Sequence, residues 1–164
     1  MIYFTEYKVT NMNINEARKL AEDEMKLHGL YDWTFEFDKA SRRFGACHYN
    51  LKRITLSKVL VELNNPLVVL DTIRHEIAHA LVGSGHGHNI VWKRKAIQIG
   101  CDGSRTYDST KVVTPKKKYV GTCPNCRREV ERLNRVAIAC GSCCKKYNNN
   151  MYSVDYLFKW KENK

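Results

Sequence analysis

The first regular pattern of apolar and polar positions in the chain is a helical one. Apolar side chains recur every three or four positions between Glu16 and Leu27, with charged residues between them. This spacing is typical of an amphipathic helix that packs on one face. Asn13 or Asn15 would cap its start, and Gly29 would end it.

Three short segments after this helix predict a sheet. Trp33, Phe35 and Phe37 alternate with polar residues, as in a strand that is buried on one face. Two further segments, residues 44–49 and 53–56, are candidate strands that could pair with it through turns. We therefore expect a small antiparallel sheet.

The clearest local pattern lies between Asn65 and Gly83. Asn65 is a good helix N-cap, Pro66 suits the first helical position, apolar residues follow, and Gly83 is a typical end. Because this helix is apolar on most sides, it should be buried at the centre of its domain. A shorter helix is expected over residues 89–98.

The charge of the chain divides it into two halves. The 164 residues include 28 basic and 17 acidic side chains, which gives a net charge of +11. Residues 1–88 contain 11 of each kind, so residues 89–164, with 17 basic and 6 acidic side chains, carry the whole excess. A basic half predicts attraction to polyanions, to nucleic acid first and to anionic membranes second.

Two absences in the sequence bear on location. The first ten residues do not have the pattern of a secretory signal, and the apolar run at residues 67–70 is far shorter than the roughly 20 residues of a membrane helix. We expect a soluble, cytoplasmic protein with no membrane partner, present as a monomer. In such a reducing compartment, clustered cysteines bind metal more often than they form disulfides.

His75, Glu76 and His79 form an HExxH motif within the buried helix. Histidines at positions i and i+4 lie on one helix face and can share one ion, and Glu76 points toward the rim of the same site. A catalytic zinc takes three protein ligands and leaves the fourth position to water, whose proton a nearby carboxylate accepts. From the residues alone, either His86 or His88, in a glycine-rich turn, could be the third ligand.

Two segments and two cysteine pairs together resemble the SprT-like metalloprotease family over roughly residues 10–145. The segments are GACHYNLKRITLS (residues 45–57) and RHEIAHALVGSGHGHNIVWKRKA (residues 74–96). In that family a third histidine stands four residues before an aromatic residue. Trp92 matches this aromatic, so the resemblance implies His88 as the third zinc ligand, with Asn89 in place of the usual glycine.

The resemblance also implies a fold and an activity. The fold is a minimal zincin-like domain with a small sheet packed on the HExxH helix. The activity is that of a zinc metalloendopeptidase which cleaves proteins at or near DNA, as in the repair of DNA–protein crosslinks. The implied partners are DNA, single-stranded or duplex, and the proteins bound to it.

Cys123, Cys126, Cys140 and Cys143 form two CxxC pairs separated by thirteen residues. Four thiolates complete the tetrahedral coordination of a zinc ion and leave no open position, so this second zinc would be structural. Two disulfides or a redox-active pair are the alternatives, and Cys144 could compete with Cys143 as a ligand.

Cations surround these cysteines and predict contact with nucleic acid, although a merely solvated basic face is the alternative. The candidates are Lys116, Lys117, Lys118, Arg127, Arg128, Arg132 and Arg135. Large side chains then alternate from Tyr152 to Trp160. They predict a strand that covers the core or, alternatively, a stacking platform for unpaired bases.

These observations combine into an α+β protein with a metalloprotease domain (residues 1–105), a linker (106–119) and a basic zinc ribbon with an aromatic tail (120–164). We expect one catalytic and one structural zinc. Two other functions use the same residues. One is a non-catalytic zinc protein that binds nucleic acid and acts in transcription, and the other is a metal hydrolase that cleaves a non-protein bond.

Overall fold

A computed structural model describes residues 11–107 and 110–163, and the chain divides into two compact units between Thr114 and Pro115. The expectation about a secretory signal concerns the first ten residues, which lie outside the described part. Within residues 11–107 and 110–163, no helix is long and apolar enough to cross a bilayer.

The first unit contains four helices and three strands in its described part. In chain order they are α1 (Ile14–Leu27), β1 (Thr34–Asp38), β2 (Gly45–His48), β3 (Arg53–Ser57), α2 (Lys58–Leu63), α3 (Pro66–Val82) and α4 (Ile90–Gln98). The predicted caps of α1 and α3 are confirmed, and Asn89, at the start of the helix predicted over residues 89–98, caps α4 in the same way. The side-chain oxygens of Asn13, Asn65 and Asn89 accept backbone N–H groups at the starts of α1, α3 and α4.

The sheet of the first unit is mixed, so the expectation of an antiparallel sheet is wrong for one of its two pairings. The strand order is β1-β3-β2, with β3 antiparallel to β2 but parallel to β1. Alternation along a strand determines which face is buried but not which strand lies beside it. Here β3 takes the central position, where Ile54 and Leu56 are fully buried.

Helix α3 lies at the centre of the unit, as its composition predicts. It contacts α1, α4, β2 and β3, and Val69, Ile73 and Ile77 on it are fully buried. The sequence analysis does not predict the short helix α2. Its N-cap is Ser57, whose hydroxyl oxygen accepts the N–H of Leu60 at 3.1 Å.

A partly buried ion pair joins α1 to α3. Arg74 donates through Nε and Nη2 to the two carboxylate oxygens of Glu24, at 2.8 and 3.1 Å. A third donor of the same guanidinium, Nη1, reaches the carbonyl oxygen of Gly100 at 3.3 Å, just after α4. Arg74 therefore connects three helices next to the HExxH motif.

The end of the first unit is held by Asn64, which is only 2% exposed. Its side-chain amide donates to the carbonyl oxygen of Val113 and accepts the N–H of Val113, at 2.8 and 2.7 Å. Val112 beside it is buried in the core. This stretch of the predicted linker thus packs on the first unit.

The second unit is a small antiparallel sheet with one helix. Its elements are β4 (Tyr119–Thr122), β5 (Glu129–Arg132), α5 (Gly141–Tyr147) and β6 (Lys159–Glu162). The strand order is β5-β4-β6. Trp160 of β6 packs against Gly121 of β4, where a Cβ atom would lie 2.8 Å from the indole ring.

The prediction of one continuous strand from Tyr152 to Trp160 is wrong. Residues 154–156 form a 3₁₀ turn capped by the hydroxyl of Ser153, and the strand begins only at Lys159. Tyr152 and Val154 are exposed, whereas Phe158 is buried among the cysteines. The turn breaks the alternation, so the large side chains do not share one face.

The ion pair between Arg74 and Glu24 generates a stability prediction. Arg74→Ala removes both hydrogen bonds from the guanidinium to the largely buried carboxylate of Glu24 and leaves it only His28, at 3.6 Å. We therefore expect a loss of about 2–3 kcal/mol in the free energy of unfolding. Urea denaturation measures this loss. Lys58→Ala, which removes an exposed pair to Glu62 on α2, is the matched control and should cost less than about 0.5 kcal/mol. Equal losses in the two variants would contradict the assignment.

Candidate functional site

Three histidine side chains converge at one point of the first unit. His75 and His79 come from successive turns of α3, and His88 comes from the turn before α4. The Nε2 atom of His88 lies 3.0 Å from Nε2 of His75 and 3.1 Å from Nε2 of His79.

This arrangement fits a zinc ion. A tetrahedral ion with Zn–N bonds of about 2.0–2.1 Å separates its nitrogen ligands by about 3.3 Å, close to the distances observed. Without a cation, Nε2 of His88 has only one lone pair or one proton for two facing nitrogens, so one of the two contacts stays unsatisfied. A cation among three lone pairs satisfies all of them.

The three imidazoles are neutral at physiological pH, which is the state that binds metal. Burial, together with the neighbouring histidines, lowers the pKa values of His75 and His79 to about 4. For His88, burial and the charge of Arg105 lower the pKa. The indole of Trp92 packs against all three imidazoles, with 4.6 to 5.1 Å between its ring centroid and theirs. Trp92 itself is only 1% exposed.

The structure brings His88, and not His86, to the other two histidines. Nδ1 of His86 instead lies 3.3 Å from the side-chain amide of Asn89. Asn89 also caps α4 by accepting the N–H groups of Val91 and Trp92. This capping role gives a local reason for asparagine at the position where the resemblance leads one to expect glycine.

Glu76 lies beside the histidines and is buried against strand β2. It is 6% exposed, and a Cβ atom at Gly45 would lie 2.7 Å from its Cγ and Oε1 atoms. Burial raises the pKa of Glu76 to about 8, while the positive charge of Arg43 acts in the opposite direction. A divalent cation at the three histidines would also favour the ionised carboxylate.

A cavity of about 450 Å³ opens in front of these side chains. Strand β2 lines one side through Gly45, Ala46 and Cys47, and Tyr49 and Arg43 flank the strand. Residues 102 and 104–107 also line it, and Asp71 holds the start of that segment by accepting the N–H of Asp102 at 2.8 Å.

Most of this lining was missed by the sequence analysis. Residues 44–49 and 53–56 are predicted as strands and residues 45–57 as part of the resemblance, but neither pattern indicates a wall of the cavity. The polar residues 102–107 gave no signal of a cavity wall, because their composition is that of a linker.

The four cysteines of the two CxxC pairs meet in the second unit. Their sulfur atoms all lie within 4.8 Å of one another, with 3.8 Å between Cys123 and Cys143 and 3.7 Å between Cys126 and Cys140. A tetrahedral zinc with Zn–S bonds of about 2.3 Å requires sulfur separations of about 3.8 Å. These distances are too long for disulfides and are consistent with a zinc ribbon. Cys144 is buried but is not part of this cluster.

The seven basic side chains predicted to contact nucleic acid differ in the partners that they have within the protein. Lys117 and Arg135 lie 3.4 and 3.8 Å from the carboxylates of Glu131 and Glu162, and Arg135 also covers the ring of Tyr119. Arg128 donates to the hydroxyl of Ser142. Arg132 donates to the carbonyl oxygen of Glu131.

The remaining three candidates are the exposed side chains Lys116, Lys118 and Arg127. Within the part of the chain that the structure describes, they have no carboxylate within pairing distance. Arg128 and Arg132 also have no carboxylate partner there, so five of the seven cations are not paired with an acidic side chain.

The match to a protein family lies in the first unit of the chain. A model of the SprT-like family matches residues 14–114, which include the three histidines, Glu76 and the cavity wall. The chain belongs to the SprT-like family. None of the curated proteins compared with this SprT-like chain matches it. The cysteine cluster lies beyond the matched residues.

The two clusters generate a prediction about metal content. The purified protein should contain two zinc ions per chain, as measured by plasma mass spectrometry. His88→Ala should reduce this to about one, because two histidines alone hold zinc weakly. His86→Ala is the matched control and should keep both ions. Retention of both ions by His88→Ala, or loss of one by His86→Ala, would contradict the assignment of His88.

Proposed function

We propose that this SprT-like chain is a zinc-dependent endopeptidase with a zincin-like catalytic domain, and that it acts on proteins at DNA. The observation that carries the proposal is the convergence of three neutral imidazoles and a buried carboxylate on one cavity. His75, His79 and His88 would hold the zinc ion. Membership of the SprT-like family supports the same activity.

The residues of the site divide the chemistry between them. A zinc ion bound there supplies Lewis-acid activation of a water molecule. Glu76, as the carboxylate, accepts the proton of this water as it attacks the peptide carbonyl, and passes the proton to the departing amine. Gly45 allows Glu76 to lie close to β2, and Trp92 keeps the imidazoles in place.

Strand β2 is suited to hold the substrate. Among the described strands it pairs only with β3, so its second edge has no strand partner, and Ala46 and Cys47 line the cavity along it. An extended peptide can add to such an edge through its backbone. This mode of binding selects an unfolded segment of a protein and has little dependence on its side chains.

The charge of the second unit supports the DNA part of the proposal. Among the seven candidates, Lys116, Lys118 and Arg127 are the ones whose side chains have neither a carboxylate nor a hydrogen-bond partner in the described structure, so their donors are available to phosphates. The zinc ribbon would present them, and the covalent connection to the catalytic domain raises the concentration of protease near DNA-bound proteins.

Glu76→Gln tests the catalytic part of the proposal. The variant should keep its zinc but lose about 10²- to 10⁴-fold in its rate of cleavage, because the amide cannot accept a proton. The assay follows a small protein crosslinked to a DNA oligonucleotide on a denaturing gel. Glu62→Gln, an exposed change on α2, is the control and should cleave at the parent rate.

The cleavage and binding assays distinguish the proposed protease from a non-catalytic protein that binds nucleic acid. A parent protein that binds DNA but cleaves no protein would favour the non-catalytic role in transcription. Equal rates for Glu76→Gln and the parent would remove Glu76 from the mechanism.

The DNA part has its own test in the dependence of affinity on salt. The double variant Lys116→Ala/Lys118→Ala should bind an oligonucleotide more weakly, and the slope of log affinity against log salt should fall by about 1.4–1.8. Fluorescence anisotropy across a salt series measures this slope. Lys19→Ala/Lys26→Ala, on the exposed surface of α1, is the matched control. The proposal is wrong if both double variants behave like the parent.

A further inference from the structure

Arg43 is a residue of the cavity for which the mechanism above gives no role. It stands between β1 and β2, immediately before the buried Phe44, and it lines the same cavity as Glu76 and the three histidines. About half of its side chain is exposed, so a ligand in the cavity can reach it.

Asp38 fixes the guanidinium of Arg43. The Nη2 atom of Arg43 donates to Oδ2 of Asp38 at 2.6 Å. Asp38 is itself held at the end of β1, because it accepts the N–H of Ala40 and the hydroxyl of Thr55, both at 2.9 Å. Burial alone would raise the pKa of Asp38, but these hydrogen bonds hold it below its ordinary value.

The anchoring leaves donors of Arg43 unused. Within the described residues, Nη1 and Nε have no hydrogen-bond partner, and only Nη2 is bound by Asp38. A guanidinium carries five N–H donors in a rigid plane, so fixing one side orients the others. These donors belong to a side chain that lines the same cavity as Glu76 and strand β2.

We propose that Arg43 is a substrate-binding residue that donates a hydrogen bond to a backbone carbonyl of the peptide lying along β2. The inference rests on the proposed function, because it assumes an extended peptide in this cavity. It adds a contact outside the backbone ladder, beside Glu76, that fixes the register of the substrate relative to the histidines.

The pairing with Asp38 decides the kind of acceptor. An arginine already joined to a carboxylate at 2.6 Å forms a unit with little net charge. Such a unit has little attraction for an acidic side chain but keeps its directed donors. A neutral carbonyl, which every peptide provides, is therefore the acceptor that fits. Arg43 should act on all peptides to the same degree.

The test measures peptide binding and not cleavage. Zinc-loaded Glu76→Gln protein is titrated into a fluorescein-labelled, end-capped peptide of Ala, Ser, Val and Leu, and anisotropy gives the Kd. Adding Arg43→Ala should weaken binding about tenfold or more, since a hydrogen bond to a charged donor contributes about one to two powers of ten. Lys39→Ala removes a cation from the same loop and is the matched control, with no change expected.

Two more variants and a second peptide make the result specific. Arg43→Lys keeps the charge and the pairing with Asp38 and should recover part of the affinity. Asp38→Asn should weaken binding less than Arg43→Ala, because the donor remains but is less firmly held. A peptide with one Leu replaced by Glu should show the same loss on Arg43→Ala. Zinc content and thermal unfolding show whether each variant is folded.

The inference and the proposed function fail in different ways. Unchanged peptide affinity in Arg43→Ala, a loss confined to the Glu-containing peptide, or no binding by the parent protein would each overturn the inference. Should Arg43→Ala not fold, Arg43→Lys and Asp38→Asn decide the question by the same comparison. Peptide binding that depends on Arg43, combined with no cleavage by the protein with Glu76 intact, would overturn the proposed protease and leave the binding contact standing.

Discussion

The close approach of Glu76 to Gly45 is the contact on which the arrangement of the first unit depends. A side chain as small as alanine at position 45 would meet the carboxylate arm at 2.7 Å and Leu56 at 2.9 Å. Strand β2 can therefore lie directly on α3, where its residues Gly45, Ala46 and Cys47 line the cavity. The same contact removes Glu76 from water, so a carboxyl group that would ordinarily be fully ionised is instead sensitive to the charges around it.

The parts that could be predicted from the sequence are those determined within a few residues. Asn13 and Asn65 cap their helices through bonds to residues two and three positions ahead, and Gly83 ends α3 with positive φ. The parallel pairing of β1 with β3 joins residues about twenty positions apart, and alternation contains no information about that choice. The role of the segment 102–107 could not be predicted for the same reason. The segment is held by a hydrogen bond from the N–H of Asp102 to Asp71, which lies on α3 about thirty positions earlier.

In the candidate site, too, the features set by nearby residues could be predicted and those set by distant residues could not. The spacing of His75 and His79 on one helix face, and of the two CxxC pairs, is a direct consequence of ligand geometry, so residue counting was enough to predict both clusters. The choice between His86 and His88 required either the resemblance to a family or the coordinates. Arg43 gave no signal, because its position depends on Asp38 and Thr55 in two different strands.

The three histidines belong to only fourteen consecutive residues, positions 75–88. Closing so short a loop costs little conformational entropy, whereas the sheet must bring distant segments together. The three metal-binding side chains are therefore neighbours in the chain, whereas the walls of the cavity come from distant segments.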